Sequence, residues 1–123
     1  MTLKVGIDVS AVPTKPAGAG RYVTEIVKRF KSDEAQYGAV CRSSDNRWQK
    51  YLEIVGHAPD SRPLRLAWEQ LMLPSIIKKS GFQVFHSPHY TMPRRTKAKT
   101  VVTIHDMTFF THPELHERKK APF

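Results

Sequence analysis

The stretch LKVGIDVSAVPTKPAGAGRYVTEIVKRF, residues 3–30, decides the fold. Its first six residues alternate and carry Val5 and Ile7, which predicts a central, buried strand over 3–8. A loop rich in Pro, Ala and Gly follows. Then Tyr22, Val23, Ile26, Val27 and Phe30 recur three and four residues apart, marking one face of a helix. Strand, glycine-bearing loop and helix open an α/β unit.

The rest of the chain continues the alternation. YGAVCR, 37–42, reads as a second strand. In DNRWQKYLEIV, 45–55, Asp45 is a candidate N-cap and Trp48, Tyr51, Leu52 and Val55 share one side, which predicts a short helix. GHAPDSRP, 56–63, has loop composition. A helix is expected from about Leu66, interrupted at Pro74 and ended by Gly81. FQVFHS, 82–87, is the next strand, 88–96 a loop containing Pro93, and KTVVTIHD, 99–106, the last strand. Strands alternating with helices predict an α/β domain with a parallel, doubly wound sheet. HPELHERKKAPF, 112–123, reads as the entry to a helix with no strand after it, so the sheet is expected to be part of something longer.

A chain of 123 residues, 40% hydrophobic, suits one small domain with a real core. The lone Cys41 excludes an internal disulfide and an all-cysteine metal site, and fits a reducing compartment. No apolar run approaches the roughly 18 residues that a bilayer span needs, and MTLKVGIDVS lacks the features of a signal peptide. A cytoplasmic location is the expectation. Twenty Lys and Arg against eleven Asp and Glu give a net charge of +9. That excess suits phosphate-bearing partners or an anionic membrane face, or is a solvated basic surface. No basic stripe, aromatic-interleaved helix or zinc-finger spacing points to nucleic acid, so none is expected as a partner.

Three stretches are candidates for chemistry. In PAGAGRY, Gly18 and Gly20 lie between strand and helix, where a backbone can approach a phosphate at a helix N-terminus, or simply turn tightly. The stretch is neither the strict dinucleotide GxGxxG nor a Walker A loop. In FHSPHY, His86 and His89 have His-x-x-His spacing, but polar residues lining a cleft explain them better than a metal pair without a third ligand. In HDMTFFTHPELH, His105 and Asp106 end a β-branched strand, while Pro113 disfavours a zinc pair of His112 and His116. Ligands of open α/β sheets bind beyond the carboxyl ends of strands, and His86, His89, His105, Asp106 and the glycine loop all fall on that rim. No Ser-His-Asp arrangement is readable, and Cys41 lies mid-strand, away from any activating group.

Taken together, KVGIDVSAVP…GAGRYVTEIVKRF, LAWEQLMLP, FQVFHSPHYTMP and VVTIHDMTFFTHPELH resemble the N-terminal domain of family 4 glycosyltransferases, the retaining GT-B enzymes. The resemblance covers nearly the whole chain, 1–123, in segment order. It implies a Rossmann-like parallel sheet with flanking helices, the incomplete N-terminal, acceptor-side half of a GT-B fold. It implies that Gly18, Gly20 and Arg21 approach the donor diphosphate, that His105 is the catalytic residue beside the donor sugar, and that His86, His89, Tyr90 and Asp106 line the acceptor cleft. The implied partners are a nucleotide-sugar donor carrying a hexose of mannose or glucose type and a glycan or lipid-linked acceptor, with peripheral association at the inner face of the membrane. No cofactor and no metal is implied. The donor-binding domain, with its Glu-containing motif, is expected to be missing, so the chain alone is expected to be inactive. The competing reading is a non-catalytic half-domain that binds a partner protein or an anionic membrane.

Overall fold

The computed structural model describes residues 3–13, 18–30, 35–89 and 91–103. Among these residues five strands form one parallel sheet: β1 (Lys4–Asp8), β2 (Gln36–Arg42), β3 (Glu53–Ala58), β4 (Val84–Ser87) and β5 (Lys99–Val102), in the order β3-β2-β1-β4-β5. Helix α1 (Ala19–Lys28) follows β1, while α2 (Arg62–Leu71) and α3 (Leu73–Ser80) lie between β3 and β4. The expected α/β, Rossmann-like sheet with flanking helices is the fold observed, and β1 is its middle strand.

Strand alternation sorts the side chains onto two faces. Ile7, Val9, Ala39 and Cys41 pack on one face with Val23 and Val27 of α1 and with Trp48 and Leu52. Val40, Ala58 and Phe85 pack on the other with Trp68 of α2 and Leu73 and Ile77 of α3. α1 lies in the connection from Asp8, the last residue of β1, to Gln36, the first of β2, and this crossover places α1 opposite α2 and α3 as a doubly wound sheet requires. Gly6 pairs with Gly38 in the register of β1 and β2. Both leave room for the Phe82 ring: a Cβ on Gly6 would lie 2.5 Å from Phe82 Cδ2, and one on Gly38 2.8 Å from Phe82 Cζ.

The helix expected over 45–55 is not formed. Asp45 folds its carboxylate back onto the Arg47 N–H and the Trp48 indole N–H, and Tyr51 and Leu52 close a turn on the Trp48 carbonyl. The chain then enters β3, where consecutive β-branched residues Ile54 and Val55 favour a strand. Gly56 and Ala58, expected in a loop, belong to this strand; a Cβ on Gly56 would lie 2.9 Å from Ile76 Cδ1, so α3 passes close over it. Helix α2 begins at Arg62, earlier than expected, with Pro63 in its first turn. The break at Met72 stands just before Pro74, and Gly81 ends α3 in the left-handed region at φ 74°.

Candidate functional site

Strand order makes β1 and β4 the place where the chain's crossovers diverge, and ligands of open α/β sheets bind outside the carboxyl ends at such a point. Asp8 ends β1 and His86 and Ser87 end β4. Because Ile7 pairs with His86, the next pair of positions puts Asp8 and Ser87 side by side on the α2 face, while His86 faces the other way.

On the α2 face a buried polar cluster forms. His89 Nε2 lies 3.3 Å from Glu69 Oε1 and 3.5 Å from Asp8 Oδ2. Both carboxylates are withdrawn from solvent. Thr91 Oγ1 donates to Glu69 Oε1 at 3.0 Å, and the Ser10 N–H donates to Asp8 Oδ1 at 2.8 Å. Burial pushes the Glu69 carboxyl upward, but His89, Thr91 and the Arg65 charge together outweigh it and hold the group below its ordinary value. Beside this cluster, Asp8 Oδ2, Ser10 Oγ, Ser87 Oγ and His89 Nδ1 are buried without a hydrogen-bond partner among the described residues.

Among the described residues Asp8, Glu69 and His89 are also the group able to hold a cation, their ligand atoms lying within 4.8 Å of one another. His86 is not in this group. Its Nε2 shares a 2.7 Å hydrogen bond with Thr103 Oγ1, just past the end of β5, so the two histidines of FHSPHY serve opposite faces of the sheet rather than one metal.

The connection from β4 to β5 carries His89 and is fastened along its length to α2. Glu69 holds His89 and Thr91; Gln70, the next residue, donates to the Met92 carbonyl at 2.7 Å and accepts from the Arg94 N–H at 3.2 Å. WEQ is therefore the staple for HSPHYTMP. Nothing in helix periodicity marks Glu69; the only available signal was an acid beside Trp68, one turn after Arg65.

The glycine stretch lies at the start of α1. Gly18 is its N-cap at φ 52°, a backbone that favours glycine, whereas Gly20 and Arg21 belong to the first turn. Gly20 is buried and its carbonyl accepts from Thr24 Oγ1, and Arg21 is exposed. First-turn N–H groups have no acceptor within the helix, so this end presents donors and the positive end of the dipole. A second polar cluster holds the approach to it. Arg42 and Arg47 both donate to the Val12 carbonyl and Arg47 to that of Pro13, and Asp45 anchors Arg47 through contacts of 2.6 and 2.8 Å. The Arg47 hydrogen bonds, helped by the Trp48 indole, prevail over burial and hold the Asp45 carboxyl down at about 2. Cys41 behaves oppositely: burial, then the Asp45 and Asp8 charges, push its thiol up, which leaves it inert. Tyr90, His105 and Asp106 lie outside the described residues.

A sequence model of the family described as Glycosyltransferase Family 4 matches residues 16–123. The chain belongs to glycosyltransferase family 4. The match takes in α1, the α2 staple, the β4–β5 connection and the segment after β5. No curated protein and no solved structure matches the chain. Membership implies binding of a sugar donor and an acceptor in general. No described helix is long and apolar enough to cross a membrane.

Proposed function

We infer that these residues form the acceptor-side wall of a retaining GT-B glycosyltransferase, which moves a mannose- or glucose-type hexose from a sugar nucleotide to a glycan or lipid-linked acceptor. The observation that carries the reading is the gathering of the α1 N-terminus, the Asp8–Glu69–His89 cluster and the His86–Thr103 pair at one sheet edge. In this reading the α1 amides after Gly18, with Arg21, meet the donor diphosphate, whose charge a helix N-terminus favours. His86, His89, Tyr90 and Asp106 line the acceptor groove. His105, two residues beyond Thr103, brings an imidazole to the reacting sugar, where it hydrogen-bonds a hydroxyl or stabilises developing charge. The second wall, which grips the nucleotide, comes from another domain, and without it the leaving group is not positioned. The basic surface, net charge +9, suits a cytoplasmic protein resting on the inner face of an anionic membrane.

The test is a titration of the chain, followed by amide NMR, with UDP-glucose, GDP-mannose and short oligosaccharides. Shifts at residues 18–21 with the nucleotides, and at 86–89 with an oligosaccharide, are the expected result. If neither group of amides responds to any of them, the reading fails.

A further inference from the structure

The opposite end of the sheet holds a cavity that the transfer reading does not use. It has a volume of about 620 Å³ and lies where β4 and β5 begin, between the end of α3 and the segment leading into β5. Its apolar lining is Pro74, Ile77, Phe82 and Ala98. Its rim is cationic: Lys78 from α3, and Arg95, Lys97 and Lys99 from the segment entering β5. Among the described residues no acidic side chain lines it and none of these four cations is ion-paired.

Four exposed cations alone would be an ordinary solvated surface. Their placement around an apolar hollow is what distinguishes this one. Pockets of about 300–1,000 Å³ hold one small organic ligand, with apolar walls for area and a few polar groups for orientation. The two sides of the rim are not equivalent. The α3 side presents a helix carboxyl end, whose carbonyls at Ile77 and Lys78 are capped by the Gly81 and Phe82 N–H groups and whose dipole disfavours an anion. The β5 side presents three cations within five residues.

We propose that this cavity binds a small organic phosphate, its phosphate held by Arg95, Lys97 and Lys99 and its apolar body laid on Ile77, Phe82 and Ala98. The site is separate from the cleft at the carboxyl ends, and it stands whether or not the transfer reading does.

The probe is 1-naphthyl phosphate, titrated into the 123-residue chain and followed by amide NMR, with inorganic phosphate and 1-naphthol as half-ligands. Shifts confined to residues 77–83 and 95–99, with both half-ligands binding at least ten-fold more weakly, are expected. The double variant Arg95→Gln/Lys97→Gln removes two exposed charges and should raise Kd about ten-fold. The control Lys50→Gln/Arg62→Gln removes the same charge elsewhere and should leave Kd unchanged. Equal weakening by both variants would show a general charge effect and overturn the site. So would shifts at residues 18–21 instead, or anionic phospholipid vesicles binding through Arg95 and Lys97 while naphthyl phosphate does not.

Discussion

Gly18 and Glu69 each hold a neighbouring segment in place, and they do so by different physics. At Gly18 no atom of the described residues lies within 4 Å of where a Cβ would stand, so among them space is not the constraint; φ 52° with ψ −116° is. Gly18→Ala should therefore cost about 1–2 kcal/mol through backbone strain alone, read as a lower urea midpoint with an unchanged m-value. An unaltered midpoint would mean that the turn before α1 relaxes freely. At Glu69 the constraint is charge. Its carboxylate is enclosed, bonded by Thr91 and paired with His89, which also faces Asp8. Glu69→Gln keeps the shape and removes the buried charge that His89, Thr91 and Arg65 face, at a cost of about 2–3 kcal/mol. The loss should be local as well as global. Amide exchange should quicken over 91–98, while residues in β1 and β2 slow or hold relative to it; uniform change across the chain would rule out the staple.

Among the elements, β1 shows how tightly sequence and packing agree. Its alternation announced a strand, and its glycine had a purpose that alternation does not reveal. Gly6 faces α3 and the Phe82 ring, so a methyl group there must displace Phe82 or Phe85, both within 3 Å of the position a Cβ would take. Gly6→Ala should destabilise by about 1–3 kcal/mol through overpacking, and Gly6→Ala with Phe82→Leu should recover part of that loss in a double-mutant cycle. Strict additivity would mean the ring does not abut this glycine. β3 is the element that sequence reading lost. Trp48, Tyr51, Leu52 and Val55 fall at helical spacing, yet Trp48 and Leu52 are buried because a turn folds them under α1, and Val55 belongs to the strand beyond. Local spacing cannot separate a helix from a turn that runs into an edge strand when the deciding contacts, Arg42 and Arg47 to the 12–13 carbonyls, come from thirty or more residues away.

For the whole molecule, alternation of strands and helices sufficed to give the parallel sheet and the edge at which its polar residues gather, because both follow from chain connectivity. His86, His89 and Gly18 were legible for that reason. The partners that fix them were not: Glu69 meets His89 across twenty residues, and Asp45 reaches the β1 loop through Arg47 and Arg42. Both carboxyls carry the same consequence for acid stability. Each has a folded-state value below its ordinary one, Asp45 at about 2 and Glu69 lowered from 4.5, so each binds its proton more readily when unfolded. The stability they contribute is complete above pH 4.5 and drains as pH falls, the Asp45 share between about 4 and 2. From an ordinary value of 3.8, that share is about 2 kcal/mol. A chain of net charge +9 also loses stability in acid by self-repulsion, which grows as every carboxylate is neutralised, so a falling urea midpoint alone proves nothing. The comparison with Asp45→Asn separates the two. The variant should start about 2 kcal/mol lower at pH 7 and approach the parent as pH drops to 2, because self-repulsion acts on both while the Asp45 term acts on one. Parallel curves over pH 4 to 2 would show that Asp45 titrates normally, and that the Arg47 clamp on the approach to α1 holds without its charge.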